Sequence, residues 1–503
     1  MINKNQLSTP IYNALLNYVN EGTIPFHVPG HKQGKGNVPL AQILGQHTMS
    51  IDLTCMEDLD NICNPKSVIK EAQDLAAELF KADNAFFLVN GTTSGIQAMI
   101  LSVCKPGDKI IMPRNAHKSA IGALILSGAQ PVYIDPEIDI NLGIAMGISK
   151  AKLREALEYH PDAKAVFVLN TTYYGIASDL KELVEIAHSY DIPVLVDEAH
   201  GAHLSLHQDL PISAMEAGAD LSASSTHKLL GSLTQSSMLL HQGNLVNPDY
   251  VKAVLNLTQT TSPSYILLSS LDFARREMAL NGNKLIGEAI RLANWAREKL
   301  STIKGIRIVD KDILNSDSRY AVDPTKLIIN VRQLGFSGYE IERILRHEYK
   351  IQVELSDLYN IILLITIADT EESISKFLDA FMEIIKNYSS NKIIRCSLDL
   401  PQIPEQLISP KEAFYSETRQ VSIEDAEGEI SAEMIMAYPP GIPIICPGER
   451  ITQEIVDYVR LLHKEEADLQ GTQDPTVTKI KVLNNRLVLL NEQTTALAVD
   501  NVG

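Results

Sequence analysis

Asp220-Leu221-Ser222-Ala223-Ser224-Ser225-Thr226-His227-Lys228 is the stretch on which the fold turns. Asp220 to Ser224 reads as a short strand, and Ser225 to Lys228 follows as a small polar tetrapeptide ending in a lysine. Further back, an apolar run from Ile192 to Val196 ends at Asp197 and opens Asp197-Glu198-Ala199-His200. Together they read as a buried lysine and a buried acid at the ends of neighbouring parallel strands, where open α/β sheets hold their chemistry. Taken alone, Lys228 reads as a surface lysine after a strand.

A lysine in such a position forms a Schiff base with an aldehyde once its surroundings lower its pKa. An acid on the next strand can keep a pyridinium nitrogen protonated, which is what makes pyridoxal phosphate an electron sink. The rest of the chain favours this pairing over a surface lysine.

Working outward, Ser67 to Phe80 has the spacing of an amphipathic helix, with Ile69, Ala72, Leu75, Ala76 and Leu79 on one side. Ala85 to Val89 is a short apolar strand running into Asn90-Gly91-Thr92-Thr93-Ser94-Gly95 and then a helix through Val103. A glycine-started, hydroxyl-rich turn at a helix N-terminus suits a phosphate, because free N–H groups and the helix dipole converge there. The same residues also cap helices with no ligand present. The turn is neither Gly-x-Gly-x-x-Gly nor a P-loop, so a dinucleotide or nucleoside triphosphate is not implied. His117, in Arg114-Asn115-Ala116-His117-Lys118, follows the strand Lys109–Met112; it is either structural or stacked on an aromatic cofactor.

Pro131–Ile134, Ala165–Leu169, Pro193–Val196 and Met238–Leu240 are further strands, mostly separated by helices. That alternation implies a mainly parallel sheet covered on both faces. Ser178 is expected to cap the helix carrying Leu180, Leu183, Val184 and Ala187. A long helix from Leu271 to about Ile303 is expected to break near Asn281-Gly282-Asn283. Strands at Ile306–Val309, Lys326–Val331, Ile351–Glu354 and Ile361–Ile367, with helices Tyr339–Glu348 and Glu371–Tyr388, suit a second, smaller α/β domain. The N-terminus reads as a helix from Thr9-Pro10, with Leu15, Leu16 and Val19 as its stripe, followed by the loop His27-Val28-Pro29-Gly30-His31-Lys32. That loop is a connection or an arm reaching a site. Residues 389–410 are rich in Ser, Asn, Pro and Gln, as a linker would be. The resulting division is an N-terminal helix and arm (1–50), a large domain (51–275), a small domain (276–390) and a C-terminal domain (391–503).

Composition limits the function. At 503 residues the chain exceeds one ordinary core. Its 45% apolar and 21% charged residues are those of a soluble globular protein. A net charge of −18 argues against a nucleic-acid partner. The five cysteines Cys55, Cys63, Cys104, Cys396 and Cys446 form no Cys-x-x-Cys pair, so neither a disulfide framework nor a zinc site is indicated. There is no signal-like h-region and no apolar run of membrane length, which points to the cytoplasm.

Five stretches in order carry a resemblance: His27-Val28-Pro29-Gly30-His31-Lys32, Asn90-Gly91-Thr92-Thr93-Ser94-Gly95, Asp197-Glu198-Ala199-His200-Gly201, Ser225-Thr226-His227-Lys228 and Tyr438-Pro439-Pro440-Gly441-Ile442-Pro443. With them the chain resembles the ornithine/lysine/arginine decarboxylases of the aspartate-aminotransferase fold, over essentially its whole length. The resemblance implies an α/β fold: a large domain with a mainly parallel sheet, a smaller α/β domain and an α+β C-terminal domain. It implies pyridoxal 5′-phosphate bonded to Lys228, with Asp197 on the ring nitrogen, His117 stacked on one ring face and Ala199 packed on the other. Thr92, Thr93, Ser94, Ser225 and His227 would hold the phosphate, and His200 would lie beside ring and substrate. Protonation at the substrate's α-carbon would come through Lys228 or His227. Thr261-Ser262-Pro263-Ser264 looks like the family stretch that reaches the phosphate from a second subunit, Ser262 among it, so a homodimer with its site at the interface is implied. Larger bacterial relatives begin with an extra flavodoxin-like domain; this chain starts at the arm, and assemblies built through that domain are not implied.

The family takes arginine, lysine or ornithine, whose distal cation calls for a carboxylate. Glu354, Asp425, Glu433 and Glu449 are candidates, each of them also readable as solvated surface charge. Analogy with stand-alone relatives favours arginine, converted to the polyamine precursor agmatine. An aminotransferase would instead bind the α-carboxylate through an arginine such as Arg332, Arg343 or Arg346. A non-catalytic binder of the same cofactor would not need Lys228, Asp197, His117 and His227 together.

Overall fold

The computed structural model describes residues 4–387, 401–437 and 441–484. Cys396, Tyr438-Pro439-Pro440 and most of the expected linker lie outside the described residues. A seven-stranded sheet forms the centre. Its strands in chain order are β1 (Asn84–Leu88), β2 (Lys109–Pro113), β3 (Gln130–Ile134), β4 (Ala165–Leu169), β5 (Val194–Asp197), β6 (Leu221–Ser224) and β7 (Ser237–His241). They lie in the order β1-β7-β6-β5-β4-β2-β3. Neighbours from β6 through β3 run parallel, and β7 is antiparallel to both β1 and β6.

The central strands β4 and β5 are apolar on both faces because both are covered. Val166, Val168, Val194 and Val196 point into one core, with the helix Val68–Leu79 and the start of the helix Tyr265–Ser301. Phe167 and Leu195, at the intervening positions, point into the opposite core, with the helices Gly91–Val103 and Lys118–Ser127. Period-two alternation within single strands thus feeds two hydrophobic layers.

The expected break near Asn281-Gly282-Asn283 does not occur: one helix runs unbroken from Tyr265 to Ser301, 37 residues. Asn281 turns its amide to Glu277 at 2.8 Å, and Asn283 turns its own to the Leu206 carbonyl. Side chains bonded to another side chain or to a neighbouring segment do not compete for the helix backbone. The helix joins two cores, with Leu268, Leu271 and Met278 in the first and Ala289, Ala293, Ala296 and Leu300 in a second. That second core lies under a four-stranded antiparallel sheet that includes Lys326–Asn330, Leu355–Ser356 and Asn360–Leu364.

Two local expectations are corrected. Ile351–Glu354 is not a strand; the ladder starts at Leu355, because Ile351 N–H is used to close the preceding helix on the Leu345 carbonyl at 3.0 Å. Ser178 is not a helix cap. Asp179 holds that position, while the Ser178 hydroxyl accepts from Ile148 N–H at 3.0 Å. In the first helix, Pro10–Asn20, Ile11, Leu15 and Tyr18 carry the burial, with Leu16 and Val19 at its margin.

Beyond residue 400, Thr418–Ser422 pairs with Lys479–Leu483, and Ile435–Ala437 pairs with Ile442–Ile445 and Leu469–Gln470, all antiparallel. The helix Gln453–Lys464 packs into the same core through Ile455, Val456, Val459 and Leu462. No described helix is long and apolar enough to cross a membrane.

Candidate active site

β5 and β6 are parallel neighbours, with Asp197 opposite Ala223. Asp197 therefore closes one strand where the chain leaves the other for Lys228. After β6, Thr226–Leu229 forms a single helical turn, and Lys228 N–H bonds the Ser225 carbonyl at 3.1 Å. This turn carries the lysine back across the strand ends. Its Nζ lies 2.7 Å from His200 Nε2.

Burial shapes the charge of every group here. Desolvation pushes the Lys228 amine below its ordinary value, opposed by Asp197 and Glu354. It pushes the Asp197 carboxyl up, opposed by Ala199 N–H at 3.1 Å and by Lys228. His200 is pushed well down by burial and then by Lys228, so its ring is neutral. The other ring nitrogen, Nδ1, is buried with no described partner. A buried polar atom without a partner is the kind of group a ligand satisfies.

The anion turn is equally open. Gly91 has φ +69°, and no atom lies within 4 Å of where its side chain would be. Thr92 Oγ1 bonds Ser225 Oγ at 2.6 Å and Ser237 Oγ at 2.9 Å, tying the turn to the strand that leads to Lys228. Ser94 Oγ donates to the Gly91 carbonyl at 2.8 Å, and Thr93 is exposed at the helix start. His227 Nδ1 bonds the Ser236 carbonyl at 2.8 Å, and burial lowers its pKa. His117 caps the helix Lys118–Ser127 through Nδ1, and burial pushes its pKa down to about 4. Ser262 is exposed and accompanies no other site residue; its N–H bonds Thr260 within the same turn.

This donor set fits pyridoxal 5′-phosphate: an amine for its aldehyde, an acid for its ring nitrogen, and hydroxyls at a helix N-terminus for its phosphate. Lys228, Asp197, Thr92–Ser94 and Ser225 would hold it.

The candidate carboxylates separate cleanly. Glu449 is fully buried against Arg114, with Oε1 2.8 Å from Nε and Oε2 2.8 Å from Nη2, and is not available to a substrate. Glu433 accepts from Gln473 and Lys481 N–H, and Asp425 accepts from Ser422. Glu354 alone of the four acts electrostatically on the Lys228 region, drawn down by Lys228 and Lys326 against a desolvation that raises it. The candidate arginines do not gather at the site. Arg332 lies over the Tyr359 ring at 4.6 Å, Arg343 pairs with Glu466 at 3.1 Å, and Arg346 is exposed. The histidine-rich arm folds onto its own chain, with His27 on Tyr18 at 2.7 Å and His31 on Asp52 at 3.1 Å.

Sequence reasoning missed Tyr173, Lys326 and Arg114. The Tyr173 ring lies 4.1 Å from the His200 ring, and Lys228 Nζ sits 5.3 Å over it. Its signal was available: Asn170 to Gly175 is the turn after β4, at the same sheet end as Asp197. Lys326 stood out only as a lysine opening an apolar strand. Arg114 reaches the C-terminal segment, donating to the Pro443 carbonyl at 2.9 Å, beside Lys118 N–H on the Gly441 carbonyl at 3.1 Å.

Comparison with known proteins gives the family. Residues 9–373 match the family model for the Orn/Lys/Arg decarboxylase major domain, and residues 398–476 match that family's C-terminal domain. The chain is 47% identical over 484 residues to an arginine decarboxylase of Bacillus subtilis, covering 96% of this chain and 99% of that protein. It is 46% identical over 487 residues to an arginine decarboxylase of Bacillus anthracis, covering 96% and 99%. Among solved structures, the lysine decarboxylase of Francisella novicida superposes with a TM-score of 0.84 at 23% identity, over 95% of this chain and 82% of that one, a likeness of fold. With both family models matched in order and relatives at 46–47% identity over nearly the whole length, the chain belongs to the Orn/Lys/Arg decarboxylase family.

Proposed function

We propose that this decarboxylase acts on L-arginine, releasing carbon dioxide and agmatine, with pyridoxal 5′-phosphate held by Lys228. The reading rests on Lys228 Nζ lying 2.7 Å from a neutral His200 at the end of the strand beside Asp197. Arginine is supported by the relatives at 46–47% identity that carry the name arginine decarboxylase.

When bound, the cofactor supplies an electron-withdrawing ring that takes up the electron pair left as carbon dioxide departs. Asp197, desolvated and accepting from Ala199 N–H, holds a proton at the ring nitrogen. Thr92, Thr93, Ser94 and Ser225 bind the phosphate, and His117 and Ala199 confine the ring between them. Lys228, its pKa lowered by burial, supplies the amine that exchanges with the substrate. It then returns a proton to the substrate's α-carbon from Nζ, with His227 the neighbouring proton carrier. His200 Nε2 orients that amine and excludes water from it. Glu354 receives the distal guanidinium, the other three candidate carboxylates being occupied in the fold.

The active unit in this reading is a cytoplasmic homodimer serving polyamine biosynthesis. Supporting it are the exposed apolar arm residues Ile24, Phe26 and Ile43, 77%, 92% and 80% exposed, and the exposed Ser262 turn, which suits delivery to a second copy's phosphate. The division into arm (1–50), large (51–275), small (276–390) and C-terminal (391–503) domains is proposed on the same grounds as before. The test incubates the purified protein and pyridoxal phosphate with arginine, lysine and ornithine separately and identifies the amines. Agmatine as the dominant product supports the reading; cadaverine or putrescine in its place replaces arginine with lysine or ornithine.

A further inference from the structure

Lys326 is fully buried, yet no carboxylate bonds its amine. Its Nζ donates to Thr171 Oγ1 at 3.1 Å and to the Thr172 carbonyl at 3.0 Å. The nearest acid in sequence, Asp323, accepts from Thr325 Oγ1 at 2.6 Å, lies 3.1 Å from His203 Nε2 and acts on the Lys326 amine only through space. Gly175 closes on the lysine stem, since a side chain there would begin 3.0 Å from Lys326 Cδ. The ammonium is thus sealed beneath the turn that follows β4.

The direct partners of this cation are neutral, and Asp323 and Glu354 offset its desolvation only through space, so its burial costs stability that a methionine of similar length would not. What the lysine holds is the backbone and hydroxyl immediately before Tyr173. The Tyr173 ring in turn packs on His200 at 4.1 Å and lies under the Lys228 amine at 5.3 Å. An unbroken chain of contacts therefore runs from Lys326 through Thr171 and Thr172 to Tyr173, and from Tyr173 to both His200 and Lys228.

We propose that Lys326 is a positioning residue of the active site: by fixing Thr171 and Thr172 it sets the Tyr173 ring as the wall against which His200 and the Lys228 amine are aligned. The proposal rests on the assignment of Lys228 as the cofactor-bearing lysine. The buried cation also lies close enough to act on both groups electrostatically, disfavouring their protonated forms.

The test is a double-mutant cycle on the full-length holoenzyme, with Lys326→Met, Tyr173→Leu and the pair. Each single variant is expected to lower kcat by about tenfold to a hundredfold, the range for a small misplacement of reacting groups, with KM for arginine nearly unchanged. The double variant is expected to be no worse than Tyr173→Leu. In both single variants the pH midpoint of the bound cofactor's visible absorbance moves; Lys326→Met raises it by removing a nearby cation. Multiplying losses, or an unmoved midpoint with only a lower Tm, overturn the proposal. Thr171→Val, which removes one acceptor and leaves the lysine, replaces Lys326→Met in the cycle if that variant does not fold. Borohydride reduction and peptide mapping of the wild type tests the underlying assignment separately: a label on any lysine other than Lys228 defeats that assignment, whatever the cycle gives.

Discussion

Arg114 and Glu449, 335 positions apart, form a two-pronged ion pair with both N–O distances at 2.8 Å and almost no exposure. The pair fastens the C-terminal segment to the turn that carries His117. Glu449 also accepts from Cys446 N–H at 2.6 Å, so both carboxylate oxygens are committed. Breaking such a pair strands a buried charge. Glu449→Ala is expected to destabilise the protein by about 3–5 kcal/mol, and replacing both partners with apolar residues by much less. Urea unfolding of the single and double variants measures this; equal losses in both would show that packing, not the stranded arginine, sets the effect.

Lys228→Ala removes the amine proposed to carry the cofactor. Amine release from arginine is expected to drop by at least about a thousandfold, as for loss of a covalent catalytic group. Far-UV circular dichroism should stay unchanged. Substantial residual decarboxylation together with a normal cofactor absorbance band would remove Lys228 from its role.

Asp197→Asn keeps the shape of the side chain but not its charge. Without the carboxylate, the ring nitrogen loses its proton and kcat is expected to fall about a hundredfold or more, in the range for losing one aligned electrostatic partner. Folding is not expected to suffer, since burial already disfavours the charged carboxyl at this position. Steady-state kinetics beside thermal melting separates the two effects.

Glu354→Gln tests the distal cation. If the guanidinium pairs with this carboxylate, KM for arginine rises about tenfold to a hundredfold, the worth of a hydrogen bond to a charged group. A shorter, uncharged amino acid should be indifferent to the change. An unaltered KM would move the cation's partner elsewhere.

Glu198 gives a pH dependence of stability. Buried and bonded to Asn170, Ala214 N–H and Ser222, its carboxyl is pushed up to about 7 from an ordinary 4.5, with desolvation the largest cause. The folded protein therefore holds a proton here that the unfolded chain releases first. The contribution is fully present below about pH 4.5 and is lost as pH rises through about 7, a change of about 3 kcal/mol. Glu198→Gln removes this titration while keeping hydrogen-bonding groups on both side-chain positions. Denaturation at a series of pH values should show the variant gaining on the wild type between pH 4.5 and 7; parallel curves would rule the group out.

The elements of the large sheet were legible because each strand is a short apolar run between helical stretches, and burial on both faces leaves little else for such a run to do. Lys228, Asp197 and the turn Asn90–Ser94 were legible for the same reason: each directly follows a strand or opens a helix, so local order fixes its end of the sheet. Where side chains found partners far away, local reading failed. Asn283 looks like a helix breaker until the Leu206 carbonyl takes its amide. Ser178 looks like a cap until Ile148 claims its hydroxyl.

The amino-acid order by itself determined the parallel sheet, the acid and lysine at adjacent strand ends and the hydroxyl turn for an anion, because these depend on periodicity and on residues next to one another. Only the tertiary structure decided that Glu449 belongs to Arg114, that Tyr173 walls the site and that Lys326 lies sealed beneath it. Those facts depend on which distant groups meet out of water, and burial, hydrogen bonding and charge act there between residues that no local pattern connects.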